Sequence, residues 1–316
     1  MAMLPGRFVV PVMLVALALE GRGQSCRTPL RVMSYNIQAG AGHLDSIGAA
    51  IARERPDLVA LQEVDVHWSV RSGFADQARE LANRLHMDVR FAPIYSLPSD
   101  STGQPMREFG VALLSSFPIV RWSNDTITRL STQHVNPVPT PMPGLLEATV
   151  SVRGRSLQFF TTHLDYRADP TVRRLQVADM LRRIDTTRAV ILAGDLNATP
   201  DAPELAPLFR VLRDTWPSDS GAGFTYPSTA PAKRIDYVLT SSGFKATRAS
   251  VTSSQASDHR AVVVDLLLCE SNDGDRIRPS ASPRPLRQGS FRETDLQQVA
   301  GHPSKPRRRR ARMGTP

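Results

Sequence analysis

Between positions 30 and 268 the apolar residues come in short runs, and most of these runs end on a polar side chain. Leu30 to Asn36 alternates toward a strand, which Gly40 and Gly42 break. Leu44, Ile47 and Ile51 then fall at helical spacing, and Pro56 closes that helix. Asp57 to Glu63 reads as a second buried strand. Ala75 to Leu85 places Ala78, Leu81, Ala82 and Leu85 on one helical face. Residues 93 to 107 read as a loop, and Phe109 to Leu114 as a strand. Pro137, Pro139, Pro141 and Pro143 predict an extended, unpaired excursion over residues 131 to 144.

Leu145 to Val152 and Ser156 to Thr162 pair as a hairpin around Gly154. Asp169 as N-cap and Pro170 at the first helical position open a helix through Ile184. Val190 to Ala193 is a buried strand ending at Gly194, which lets the backbone turn and approach a ligand. Ile235 to Thr240 and Ala261 to Leu268 complete the set. No internal repeat of 20 to 50 residues is visible.

The polar ends share one chemistry. Asn36, Glu63, His163, Asp195 with Asn197, Asp236, and Asp258 with His259 each lie at the edge of an apolar run. Gly-Asp-x-Asn alone also describes an ordinary Asx turn. Repeated at strand after strand, such residues imply one polar rim on a sheet structure. Carboxylate and amide oxygens of this kind suit a hard cation.

Composition narrows the picture. Net charge is +9, yet the last 47 residues hold 11 basic and 5 acidic side chains. Residues 28 to 269 are left nearly neutral, which argues against tight binding of duplex nucleic acid by the domain itself. From 270 to 316 the chain is poor in apolar residues and ends in Arg307-Arg308-Arg309-Arg310. It reads as a disordered basic tail, solvated or in contact with anionic polymers or membranes.

Arg7, the apolar run Phe8 to Leu19, and Gly21 and Gly23 read as a signal peptide over residues 1 to 25. The expected location is therefore secreted or periplasmic, with an uncleaved membrane anchor as the alternative. Cys26 and Cys269 are the two cysteines, bracketing the domain. Export permits a disulfide. A lipid-attachment role for Cys26 is the alternative.

Ser34-Tyr35-Asn36, Leu61-Gln62-Glu63-Val64-Asp65, Thr162-His163-Leu164, Gly194-Asp195-Leu196-Asn197, Arg234-Ile235-Asp236-Tyr237 and Ser257-Asp258-His259 occur in that order. Together they resemble the endonuclease/exonuclease/phosphatase superfamily with the deoxyribonuclease-I-like fold. The resemblance implies an α+β, four-layer α/β/β/α sandwich of two mostly antiparallel sheets flanked by helices, over residues 28 to 269.

It also implies the roles. Glu63 would be the main Mg²⁺ ligand, with Asn36 and Asp258 nearby, and Mn²⁺ or Ca²⁺ as other candidate ions. His259 would act as general base on water or orient it, held by Asp236. Asp195 would orient or activate the nucleophile, and Asn197 and His163 would donate to the phosphate. Arg71 and Asp165 are candidate substrate contacts, each with a bystander reading beside it. Phe109-Gly110-Val111-Ala112 departs from the family's aromatic-Gly-Asn-Ala, so no asparagine contacts substrate there. In the family the first and last strands are neighbours, so the resemblance implies a Cys26–Cys269 disulfide at the end opposite the site.

The expected function is a secreted, divalent-metal-dependent phosphoesterase acting as a monomer. Its substrate would be a phosphodiester, either nucleic acid or a phospholipid or glycolipid head group. The alternatives are a phosphomonoesterase and a catalytically inactive extracellular binding protein on the same fold.

Overall fold

The computed structural model describes residues 25–40, 43–99, 101–217 and 219–270. The signal-peptide reading (apart from Ser25) and the basic-tail reading (apart from Glu270) lie outside them. Among the described residues no helix is long and apolar enough to cross a membrane.

Two six-stranded sheets form the frame. The first runs β11 (Phe244–Val251), β12 (Val262–Cys269), β1 (Cys26–Asn36), β2 (Leu58–Val66), β4 (Arg107–Ser115) and β3 (Asp88–Leu97). The second runs β5 (Ile119–Arg129), β6 (Thr140–Val152), β7 (Arg155–His163), β8 (Val190–Asp195), β10 (Asp236–Thr240) and β9 (Arg213–Asp214). Among the described residues, only β1 with β2 and β7 with β8 pair in parallel. α1 (Leu44–Glu54) and α2 (Gln77–Leu85) cover the first sheet. α3 (Thr171–Leu181) and α4 (Ala206–Phe209) cover the second. This is the α/β/β/α sandwich that the sequence implies.

Both faces of the central strands are buried, which explains their continuous apolar runs. In β2, Leu58 and Ala60 face the other sheet and meet Phe159 and Ile191. Val59 and Leu61 face the helices and pack with Ile47, Ile51 and Leu81. The period then breaks. Leu61 is opposite Ala112, but Val64 is opposite Gly110, so β2 carries one extra residue. Val64 and Val66 therefore join the helix-facing core. Glu63, at φ 55°, is the residue inside this bulge. Gly110, opposite Val64, is required for a different contact: a Cβ there would lie 2.2 Å from Ala92 O on β3.

The first and last strands of the first sheet are neighbours. Cys26 is the register partner of Cys269, and a disulfide joins them. They sit at the end of β1 away from Asn36, as expected.

Several elements differ from the sequence reading. Residues 93 to 97 are strand, as part of β3, and Arg107 already belongs to β4. The proline-rich stretch does not stay unpaired: Thr140, Pro141 and Met142 pair with Arg129, Thr128 and Ile127. α3 starts at Thr171, so Pro170 precedes the helix, and Asp169 Oδ1 accepts from Thr171 N at 2.9 Å. β5 and β11 bury few of their residues, so they leave almost no apolar period to read.

Candidate active site

Strand register puts the polar ends side by side. His163 pairs with Asp195 across β7 and β8, and Asp195 pairs with Asp236 across β8 and β10. The second sheet thus carries His163, Asp195 and Asp236 as one row at its rim. The first sheet adds Asn36 from the end of β1 and Glu63 from the bulge. Asp258 and His259 arrive just before β12, and Ser257 Oγ ties that turn to Asn36 O at 2.7 Å.

Asn36 links the two sheets. Its Nδ2 donates to Glu63 Oε1 at 3.0 Å and to Asp195 Oδ2 at 3.1 Å, while its Oδ1 accepts from Gln38 N. Its amide nitrogen, not its oxygen, is turned toward the carboxylates. In this arrangement Asn36 holds Glu63 and Asp195 together.

Asp236 Oδ2 accepts from His259 Nδ1 at 2.8 Å. His259 Nε2 then faces Asp195 Oδ2 at 3.7 Å, and His163 Nε2 faces the same oxygen at 3.5 Å. Asp195 Oδ1 accepts from Asn197 N at 2.9 Å, so the Asx turn and the site are one structure. Asn197, at φ 50°, occupies the left-handed region that asparagine tolerates. Its Nδ2 donates to Leu164 O at 3.0 Å and to His163 Nε2 at 2.8 Å. Both amide hydrogens are thus committed. Asn197 thereby braces His163 beside Asp195.

The electrostatics reassign one role. Burial disfavours the charged form of His259, but Asp236, Asp195 and Asp258 outweigh it and push the imidazole up to about 10. Burial, then the charge of Asp236, raises the Asp195 carboxyl, against the two histidines. The surrounding carboxylates thus favour the imidazolium form of His259, and burial favours the protonated carboxyl of Asp195.

A cleft of about 620 Å³ opens over this row, lined by Glu63, His163, Asp195, Asn197, Asp258 and His259. Tyr226 also lines it and packs on His259 with ring centroids 4.8 Å apart. A second cavity of about 210 Å³ shares Glu63, His163 and Tyr166 with the first. Tyr226, Tyr166 and Lys233 at the cleft carry no periodic or motif signal along the chain.

Residues 33–259 match the model of the Endonuclease/Exonuclease/phosphatase family. The chain belongs to this family. No curated protein matches it. Among solved structures it resembles an endonuclease/exonuclease/phosphatase from Beutenbergia cavernae, at 27% identity and a TM-score of 0.63, over 77% of this chain and 72% of that one. It also resembles the catalytic domain of human Nocturnin with bound sulfate, at 21% identity and TM-score 0.58, over 78% and 96%. A mannosyl-6-phosphatase from Bacteroides thetaiotaomicron is similar at 17% identity and TM-score 0.59, over 76% and 100%.

Within this family member the remaining candidates separate. Arg71 is held by Asp65 through two bonds of 2.8 and 2.7 Å and packs over Phe109 and Trp68. It lines neither of these two cavities, and its guanidinium is engaged by Asp65. Asp165 lines the second cavity, with its carboxylate bound to Arg167. Gly194 is not a turn: it lies inside β8, where a Cβ would stand 2.3 Å from Thr162 O. It allows β7 and β8 to approach at the row that carries His163 and Asp195.

Proposed function

We propose that the protein is an exported, divalent-metal-dependent phosphodiesterase in which Asp195 and His259 divide the proton transfers. The carrying observation is Asp195 Oδ2 standing 3.7 Å from a His259 ring that Asp236 holds from behind at 2.8 Å. The leader-like sequence supports export, and the monomer expectation is kept.

The donor set fits a hard cation. Asp258 is raised by burial and further by the charge of Glu63, with His259 opposing, so two carboxylates repel across the cleft wall. An all-oxygen pair of this kind suits Mg²⁺. Asp195, Asp236 and His259 also cluster, with ligand atoms within 4.8 Å, but there Nδ1 is already bonded to Asp236. Glu63 and Asp258 are the better holders. A bound Mg²⁺ would polarise a phosphoryl oxygen and stabilise charge on the leaving oxygen.

The chain's own groups supply the rest. Asp195 accepts the proton of the attacking water. His259 donates its Nε2 proton to the leaving oxygen, and Asp236 stabilises the imidazolium before that transfer. The 3.7 Å gap then lets Asp195 return a proton to His259. Asn36 keeps Glu63 and Asp195 in place, and Asn197 does the same for His163. The two cavities that meet at Glu63 and His163 support a diester, with one ester arm in each.

The test is a substrate panel of plasmid DNA, RNA, sphingomyelin, phosphatidylinositol and sugar phosphates with Mg²⁺ or EDTA. Hydrolysis of a diester that EDTA and His259→Ala both abolish is expected. Turnover indifferent to both would reject the mechanism.

A further inference from the structure

The ladder between β6 and β7 stops short of the site. Its last register pair there is Leu146 with Thr161, whereas β7 runs on beside β8 as far as His163 opposite Asp195. Pro143 and Gly144 have register partners neither on β7 nor on β5. Buried carbonyls at such a place need donors from elsewhere. Arg129, the last residue of β5, supplies them. Its Nε donates to Pro143 O at 2.9 Å, and its Nη1 to His163 O at 2.8 Å. Its Nη2 donates to Gly144 O at 2.9 Å and to Thr162 Oγ1 at 3.2 Å. Thr162 Oγ1 in turn donates to Gly144 O at 3.1 Å.

The backbone is shaped around this guanidinium. Gly144 has φ 109°, and a Cβ there would stand 2.8 Å from Arg129 Nη2 and 2.3 Å from Ile94 Cγ1. Gly144 N is fixed in turn by Asn124 Oδ1 at 2.7 Å. Arg129 is buried, and all four of these bonds go to neutral oxygens. Burial lowers its guanidinium to about 10. A charge in such a place costs more desolvation than an apolar side chain of similar length. What the guanidinium adds is geometry: five donors in one rigid plane, able to tie β5, β6 and β7 together at a single point.

We propose that Arg129 is a positioning residue for the reaction in the cleft: by holding the His163 carbonyl it fixes how the His163 ring meets Asp195. The proposal rests on the phosphodiesterase reading above. His163 Nε2 stands 3.5 Å from Asp195 Oδ2, and Asn197 Nδ2 holds the same ring nitrogen at 2.8 Å. Leu164 N donates to Asp195 O at 3.0 Å, which ties the end of β7 to β8. Arg129 supplies the hold on the β6 side, where the ladder has already ended. It acts through His163 and not on the substrate. Without it the end of β7 can swing away from β6, and an error of about 1 Å in a reacting group can cost on the order of 100-fold in rate. Lysine in its place would keep the charge and lose the planar fork.

The test combines kinetics with the NMR signal of the His163 ring in the full chain. Arg129→Lys and Arg129→Met are compared with Val152→Ala, which thins the core at the far end of the same hairpin, where Val152 pairs with Arg155. On a hydrolysed diester, kcat should fall about tenfold or more in both Arg129 variants, with KM changed less than about threefold. In EDTA their His163 ring signals should shift or broaden. Val152→Ala should leave kcat and the His163 signal as they are, even where it lowers the melting temperature as much. If both Arg129 variants are unfolded at the assay temperature, Thr162→Val decides, because it removes one acceptor from the guanidinium. It should move the same signal, with a smaller fall in kcat. An unmoved His163 signal in a folded variant, or a kcat loss that Val152→Ala matches, would overturn the proposal. A moved signal in a protein that hydrolyses no diester would instead overturn the phosphodiesterase reading and leave the placement of His163 by Arg129 standing, so the two failures are distinct.

Discussion

His259 Nδ1 lies 2.8 Å from Asp236 Oδ2, and both side chains are buried. The folded protein therefore holds a proton on His259 that the unfolded chain, with a histidine near 6.5, releases earlier. A folded value raised to about 10 contributes stability that is complete below pH 6.5 and is lost as pH rises toward 10. In EDTA, chemical denaturation should show stability falling across that window, by about 1.4 kcal/mol per pH unit at its steepest. His259→Asn should flatten the slope. A slope unchanged by the substitution would mean other groups cause it.

Asp195 separates activity from stability. Asp195→Asn removes the proton acceptor, and kcat should fall about 10²- to 10⁴-fold with a smaller change in KM. The same change removes a charge that raises His259, so its titration should move down, measured by imidazole NMR. It also ends the repulsion from Asp236, so the melting temperature at neutral pH should hold or rise.

Glu63 offers the same contrast through the backbone. A non-glycine residue at φ 55° is strained by about 1 kcal/mol or more, and asparagine tolerates that region better. Glu63→Asn should raise metal-free stability by up to about 1 kcal/mol and abolish Mg²⁺-dependent hydrolysis. Differential scanning fluorimetry and the substrate panel measure the two halves. A loss of stability would show that the Asn36 bond to Glu63 outweighs the strain.

The disulfide closes a sequence separation of 243 residues far from the cleft. Replacing both cysteines with serine should cost up to about 5 kcal/mol in the chain-entropy picture. Activity at low temperature should persist, since Asn36 and Cys26 lie at opposite ends of β1. Urea denaturation of the two forms gives the difference.

The sequence announced the site because its residues sit at strand ends, where one short motif fixes both position and direction. His163, Asp195 and Asp236 are adjacent because their strands are adjacent. Bond direction was not legible. Asn36 and Asn197 look like ligands in a motif, yet their amide hydrogens are committed to carboxylate, carbonyl and imidazole partners. The charge environment of His259 was hidden as well, because it depends on three carboxylates, two of them distant in sequence. Gly194 was legible as special but for another reason, since the clash it avoids is with the neighbouring strand. β5 and β11 escaped notice because exposed strands carry no period, and the stack of Tyr95 on Phe109 did because stacking follows no fixed spacing.

The extra residue in β2 behaves as a frameshift in a two-letter code. Upstream of it, odd positions are read by the helices; downstream, even ones are. Any engineering that deletes or adds one residue between Leu61 and Val64 would leave the other five motifs intact while inverting which layer sees the residues on one side of the change. Insertions in this strand should therefore be tolerated in pairs, and the chemistry of the cleft depends on a parity that no substitution scan would reveal.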